Sequence, residues 1–144
     1  MSYDFDVKQV LDVLNRVLEN EMAGVVRYTH YSLMVFGPYR MPLVAWLQGQ
    51  ASESLLHSQE AGELITLLDG HPSLKIGSLL ESHQHDVKTI LQEALAHETE
   101  QVGLYRELLD LVKDKSVLIE EFARKLIAEE EQHVGDIQKM IREH

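Results

Sequence analysis

A Glu-x-x-His unit near the C-terminal end of the chain carries side chains well suited to chemistry. Glu130 and His133 are three residues apart in a stretch of helical periodicity, which places their Cβ atoms roughly 5–6 Å apart on one helix face. The other residues of that face are apolar: Ile119, Phe122, Leu126, Ile137 and Met140. Because a buried charge is unfavourable unless it is paired or bound to a metal, the unit indicates an internal ion pair or a metal site.

Three more polar residues interrupt apolar helical stripes. Glu21 does so in the first predicted helix, His57 in the second and Glu98 in the third. One such residue could be a hydrogen-bonded core residue or the result of a misjudged helix phase. Interruptions at matching depth on all four predicted helices are instead typical of a di-iron or di-manganese carboxylate site. Carboxylates would neutralise and bridge two cations there, and imidazoles suit iron.

Four helices are predicted to position these residues. The apolar residues follow the helical period over about residues 7–36, 42–69, 78–113 and 116–144. Short connections between the first two helices and between the last two favour antiparallel pairs. The fold class is therefore predicted to be an all-α antiparallel four-helix bundle with one long crossover between helices two and three.

The helix ends are predicted from local signals. Gly37-Pro38 ends the first helix and Gly70-His71-Pro72 ends the second, since Gly favours the terminal positive φ and Pro cannot continue a helix. Ser78-Leu79-Leu80-Glu81 fits a capping box at the start of the third helix. The segment from residue 71 to 77 is the candidate crossover.

Composition excludes several classes of function. The chain has 144 residues, enough for one domain with a substantial core. Its net charge of -11 argues against a nucleic-acid partner and suits the attraction of cations. The absence of cysteine excludes thiolate ligands and disulfides. The acidic N-terminus is unlike a signal peptide, and no apolar run reaches membrane-spanning length. We therefore expect one cytoplasmic domain over residues 1–144 without a membrane partner.

At these residues the sequence resembles ferritin-like proteins, and among them most closely the bacterioferritins. The segment from Leu14 to Glu21 is similar to their first-helix ligand segment, and Tyr28 matches a tyrosine beside their metal site. The second-helix pattern is matched by His57 with Asp69-Gly70-His71-Pro72 behind it. Glu98 and the Glu130-x-x-His133 unit match the third and fourth helices. The resemblance covers essentially the whole chain and implies a ferritin-like bundle.

The resemblance implies iron handling. Fe(II) would bind inside the bundle and be oxidised by dioxygen or peroxide, with two iron ions per site and manganese or zinc as possible substitutes. Glu21 and His57 would hold one ion, Glu98 and His133 would hold the other, and Glu130 would bridge them. Glu21, Glu98, Glu130 and Tyr28 are thereby the candidate catalytic residues.

The second helix departs from the family pattern. The family has Glu three residues before the histidine, whereas this chain has Ser54 before His57. Glu53 lies about 40° away from His57 on a helical wheel and is the favoured replacement ligand. The alternatives are Glu60, a water held by Ser54, or a site that binds a single metal weakly.

Two other departures concern haem and assembly. Leu55 replaces the methionine with which bacterioferritins hold haem, so we expect no haem. The sequence ends at His144, where the family continues into a fifth helix that lines a cage axis. We therefore expect a homo-oligomer that is at least a dimer, and the standard cage is in doubt.

Two further functions are compatible with the sequence. One is a rubrerythrin-like peroxide reductase or another di-metal oxidoreductase without a cage. The other is a non-catalytic helical binding protein with a degenerate metal site, for which Ser54 is the support. DNA protection in the manner of mini-ferritins is disfavoured because the chain has no basic tail. Outside the constellation, His30 and His97 fall off the apolar stripes, and His83 and His85 are expected to be exposed.

Overall fold

The computed structural model describes residues 2–142, which fold into four helices with no strand among them. Their bounds are α1 Val7–Met34, α2 Arg40–Leu67, α3 Val87–Val112 and α4 Val117–Ile141. α1 packs against α2 and α3, and α3 also packs against α4. The predicted all-α four-helix bundle with a long crossover between helices two and three is confirmed.

Three helices begin with a capped backbone amide. The side chains of Asp6, Asp86 and Ser116 each accept a hydrogen bond from the amide three residues later. These contacts satisfy amides that have no partner within the helix. α1 ends at Met34 with an extended Val35 as its C-cap. Gly37, which has a φ of 96°, therefore lies in the turn after the helix rather than at the predicted helix end.

The predicted start of the third helix is wrong. α3 begins at Val87 with Asp86 as its cap, so Ser78 and Glu81 lie in the crossover. The Glu81 carboxylate is bonded instead to the His30 ring and to the amide of His83. These contacts outweigh the local capping-box pattern, and the crossover therefore extends well beyond Gly77.

The end of α2 uses glycine for close packing rather than for a positive φ. The left-handed residue is Asp69, with a φ of 65°. Gly70 donates its amide to the carbonyl of Ile65 at 2.9 Å, which closes the last turn. A Cβ at Gly70 would lie 2.5 Å from Leu11 Cδ2, so a side chain here would require Leu11 of α1 to shift.

The apolar core consists of two clusters at opposite ends of the bundle. One includes Leu14, Leu64, Tyr105 and Leu126. The other includes Tyr28, Leu47, Leu91 and Ile137. Each helix contributes to both clusters, and the segments between the two contributions carry Glu21, His57, Glu98 and Glu130. The fold thus places a polar layer between two apolar ones.

No helix within residues 2–142 is both long enough and apolar enough to cross a membrane.

Candidate metal centre

The four helices bury an acidic and imidazole layer at their middle. Glu21 is 1% exposed, His57 3%, Glu98 4% and Glu130 2%. His133 is close to the same layer, with 13% of its side chain exposed. Such groups require partners when they leave water.

Glu21, His57 and Glu130 form the first group of potential ligands. His57 Nδ1 lies 3.1 Å from Glu21 Oε2 and 3.4 Å from Glu130 Oε1. One donor atom from each of the three residues lies within 4.8 Å of the others. α1, α2 and α4 therefore each supply one side chain to the group.

Glu98, Glu130 and His133 form the second group. Their donor atoms also lie within 4.8 Å of one another, and His133 Nδ1 is 3.3 Å from Glu130 Oε2. Glu130 belongs to both groups, and its two oxygens face different histidines. The residues thus have the mutual arrangement of two adjacent sites that share one carboxylate.

Two buried tyrosines hold the carboxylates. Tyr28 Oη donates to Glu98 Oε1 at 2.5 Å, and Tyr105 Oη donates to Glu21 Oε2 at 2.6 Å. The sequence predicted Tyr28 beside the site but did not identify Tyr105. The signal for Tyr105 was available, because a buried tyrosine hydroxyl needs a hydrogen-bond partner.

The histidines have outer carboxylate partners. Glu129 Oε2 lies 3.0 Å from His57 Nε2, and Glu53 Oε2 lies 2.9 Å from His133 Nε2. Glu129, whose side chain is 40% exposed, was not among the site residues identified from sequence. A histidine that binds a metal usually donates its other ring nitrogen to a carboxylate or carbonyl. This rule indicates that His57 needs an outer partner such as Glu129. Glu53 belongs to neither three-residue group.

The second-helix position that departs from the family pattern is packed rather than open. Ser54 is buried, with 5% exposed. A Cβ built at Gly24 would lie 2.6 Å from Ser54 Oγ and 2.9 Å from His97 Nε2. Gly24, Ser54 and His97 are therefore in close contact across α1, α2 and α3.

His97 is buried, contrary to the expectation from its position off the apolar stripe. His97 is 4% exposed, and its ring lies edge-on to the ring of Tyr28, with the two ring centroids 5.9 Å apart. Burial, with a smaller contribution from Arg27, lowers the pKa of His97 to about 4. The ring is consequently neutral at physiological pH.

Protons occupy part of the layer. Burial raises the pKa of Glu98 well above its usual value, and its hydrogen bond to Glu130 adds to the rise. Burial alone would raise the pKa of Glu130, but hydrogen bonds from Glu98, His133 and His57 lower it. Burial lowers the pKa of His57, but contacts with Glu130 and Glu21 outweigh it and raise that pKa to about 10. These shifts favour the protonated forms of Glu98 and His57 and the ionised form of Glu130.

A cleft between α2 and α4 leads from solvent to both histidines. Its volume is about 410 Å³. Its lining includes His57 and His133 together with four carboxylate residues: Glu53, Glu60, Glu129 and Asp136. The acidic lining favours entry of cations.

The donor set fits iron. Three carboxylates supply hard oxygen ligands, and two imidazoles supply nitrogen ligands that suit iron. The carboxylates also counter the charge of two divalent cations. In the absence of cations, the same charges must be neutralised by protons, as the pKa shifts of Glu98 and Glu21 indicate.

Comparison with known proteins identifies the family. The ferritin-like domain matches residues 11–143. The chain belongs to the ferritin-like family. The bacterioferritin of Mycobacterium bovis is 27% identical over 138 residues, which cover 92% of this chain and 83% of that protein. Bacterioferritin BfrA of Mycobacterium tuberculosis has the same identity and coverage.

Solved structures of the ferritin-like family have the same fold. A ferritin-like, diiron-carboxylate protein from Bacillus anthracis is 26% identical with a TM-score of 0.86, covering 99% of this chain and 100% of that chain. A dodecameric thioferritin from Bacteroides fragilis is 26% identical with a TM-score of 0.85, covering 94% and 85%. Dps from Thermosynechococcus elongatus, at 21% identity, a TM-score of 0.87 and coverage of 95% and 92%, shows similarity of fold alone.

Proposed function

We propose that the protein binds two ferrous ions in the buried layer and oxidises them, as an iron-handling member of the ferritin-like family. The observation that carries the proposal is the pair of ligand groups that share Glu130. The diiron-carboxylate relative from Bacillus anthracis supports the same chemistry.

Glu21 and His57 would hold one ion, Glu98 and His133 the other, and Glu130 both. Iron is the substrate, and each Fe(II) that becomes Fe(III) releases one electron. Two ions therefore reduce one dioxygen, with two protons, to hydrogen peroxide, or one peroxide, with two protons, to water. The carboxylates of the layer lie between two apolar clusters, and the acidic cleft is the route by which ions and oxidant reach them from solvent.

The chain's own side chains orient the ligands and move protons. Tyr28 and Tyr105 each donate a hydrogen bond to a carboxylate and fix its rotamer. Cations that enter through the acidic cleft must displace the protons held by Glu98 and His57, because a ligand binds metal in its deprotonated form. The released protons are then close to the oxidant, whose reduction consumes protons.

Glu53, favoured from sequence as the replacement second-helix ligand, has a different role in the proposal. Its carboxylate contacts the outer nitrogen of His133, and its side chain is 50% exposed. We assign it the orientation of His133, as Glu129 orients His57. Direct ligation by Glu53 stays a prediction that stoichiometry can test.

We propose that the protein acts as a homo-oligomer. The related thioferritin from Bacteroides fragilis is dodecameric. Several large apolar side chains of α1 and α2, including Leu33 at 65% and Leu56 at 52%, are exposed in the single chain. Burial of such residues between subunits would remove apolar surface from water.

The test is anaerobic titration of the metal-free protein with Fe(II), followed by exposure to oxidant. We expect about two ferrous ions per chain, the number in di-iron bundle sites, and near-ultraviolet absorbance of Fe(III) after dioxygen is added. An oxygen electrode measures uptake, and a parallel sample receives hydrogen peroxide. Oxidation no faster than in protein-free buffer with either oxidant would overturn the proposal, whereas preference for peroxide would identify the oxidant.

A further inference from the structure

The crossover between α2 and α3 is attached to the bundle by polar contacts. The amide of Gly77 donates to the carbonyl of Glu19 at 2.8 Å. Arg27 Nη2 donates to the carbonyl of Ser78 at 2.9 Å, and Ser82 Oγ donates to Glu93 at 3.0 Å. These contacts hold the exposed second half of the crossover next to α1 and α3.

A second cluster of potential metal ligands lies at this junction. His30 of α1 has its Nε2 atom 2.7 Å from Glu81 Oε2, and His85 Nε2 lies 3.3 Å from Glu81 Oε1. Donor atoms from the three residues all lie within 4.8 Å of one another. None of these residues belongs to the buried layer around Glu130.

The backbone of the crossover positions the central carboxylate. His83 has a φ of 59°, in the left-handed region. Its amide donates to Glu81 Oε1 at 2.6 Å. The turn at His83 therefore restrains Glu81 while its two oxygens face the two imidazoles.

We propose that His30, Glu81 and His85 bind one divalent transition-metal ion, such as zinc, which holds the crossover on α1. Two imidazoles and one carboxylate are typical of zinc sites that keep a position open for water. With zinc–ligand distances of about 2.0–2.1 Å, tetrahedral donors would be roughly 3.4 Å apart. The His85–Glu81 separation of 3.3 Å is close to this value, and all three donor atoms lie within 4.8 Å of one another. The side chains are 42%, 34% and 22% exposed, so an ion can reach them from solvent.

A hydrogen bond explains either histidine–carboxylate pair alone. Two rings that converge on one carboxylate also supply the three donor atoms of a metal site. The ring centroids of His30 and His85 are 5.6 Å apart, and His30 is 51 residues from Glu81 along the chain. One ion bound by all three residues joins His30 of α1 to Glu81 and His85 of the crossover.

The test compares zinc stoichiometry in metal-free full-length protein and in a His30→Ala/His85→Ala variant. Equilibrium dialysis with Zn(II) and metal analysis should give one more zinc per chain in the wild type, because both proteins keep the buried centre. Each single variant should lower the zinc affinity of the additional site. The reduction should be at least the roughly 10–100-fold that follows loss of a residue that only orients a metal ligand. Equal stoichiometry in wild type and double variant would overturn the proposal.

His83→Asn is the matched control, since it removes a histidine from the same turn while asparagine tolerates the left-handed backbone. This variant should retain the additional zinc. Loss of that zinc would show that His83 takes part in binding it and would overturn the assignment. Hydrogen exchange of the amides of residues 78–86 gives a second readout. Zinc should slow this exchange in the wild type and in His83→Asn but not in the double variant, and no effect in the wild type would refute the holding role. Circular dichroism and two bound ferrous ions per chain would show that the double variant is folded.

Discussion

Glu130 is the residue on which both ligand groups depend. It accepts contacts from His57 and His133 on separate oxygens and lies within 4.8 Å of donor atoms of Glu21 and Glu98. Loss of any other ligand would remove a member of one group only.

The Glu130→Ala variant should lose both ferrous ions, because neither group retains three ligands. Glu131→Ala is the control, since the neighbouring carboxylate is exposed and pairs with Arg106. Anaerobic Fe(II) dialysis measures the stoichiometry of each variant. Two ions bound to Glu130→Ala would contradict the bridging role.

The Glu53→Gln variant separates a ligand from an orienting residue. If Glu53 orients His133, the variant still binds two ions, with affinity reduced roughly 10–100-fold. If Glu53 is a ligand, one ion per chain is lost at saturation. Fe(II) titration to high concentration distinguishes the outcomes, and Glu63→Gln on the same helix provides an exposed control.

The proton on His57 makes the metal-free protein sensitive to alkaline pH. Because the folded pKa of about 10 exceeds the ordinary 6.5, the stabilisation is complete below about pH 6.5 and is lost as pH rises through about 10. The free energy of unfolding should therefore decrease over that range. Urea denaturation with a chelator should show a smaller decrease for His57→Gln than for the exposed control His71→Gln. Equal decreases would show that His57 is not the group responsible.

The candidate site residues were identified from sequence because each interrupts an apolar stripe. His97 was not, because α3 packs against both α1 and α4. A helix buried on two sides has no single inward stripe, so a wheel drawn on one face places His97 outside the core. The contacts of Glu129 and Tyr105 required the three-dimensional arrangement of neighbouring helices.

At the scale of the elements, local signals predicted helix ends where nothing distant competed for them. The fourth helix was predicted to begin at about residue 116, and Ser116 is its N-cap. Ser78-x-x-Glu81 failed because His30 of α1 binds the carboxylate that would have capped the helix. His30 is 51 residues from Glu81 along the chain, so a local sequence pattern cannot indicate this contact. The length of the crossover could not be predicted for the same reason.

The close approach of α1, α2 and α3 at Gly24 predicts a position-specific effect of alanine. Gly24→Ala should destabilise the protein by about 1–3 kcal/mol, because its Cβ would meet Ser54 Oγ and His97 Nε2. Gly103→Ala has nothing within 4 Å and should instead stabilise by about 0.4–1 kcal/mol. Urea denaturation measures both, and equal effects would contradict the packing argument.

At the scale of the whole molecule, α2 is apolar on more than its inner side. Leu47 and Leu64 face the core, whereas Leu55 and Leu56 are 43% and 52% exposed. Neighbouring exposed apolar residues on the outer side of a helix are typical of a surface that another subunit covers. A surrounding assembly would provide that cover.

Light scattering should give a mass several-fold above the 16.5 kDa of one chain. Leu55→Glu should lower this mass, because a carboxylate in an apolar subunit contact is unfavourable. Leu74→Glu is the control, since Leu74 is 95% exposed in the crossover. A wild-type mass of one chain would contradict the proposed homo-oligomer.

The ligand groups differ in how they connect the halves of the bundle. Glu98, Glu130 and His133 all come from the α3–α4 hairpin, whereas the other group joins Glu21 and His57 of the α1–α2 hairpin to Glu130. An ion in the joined group would be a non-covalent link between two halves whose covalent link is the crossover. If a protease cut the exposed stretch of residues 79–84, the iron-loaded fragments would remain associated more tightly than the iron-free ones.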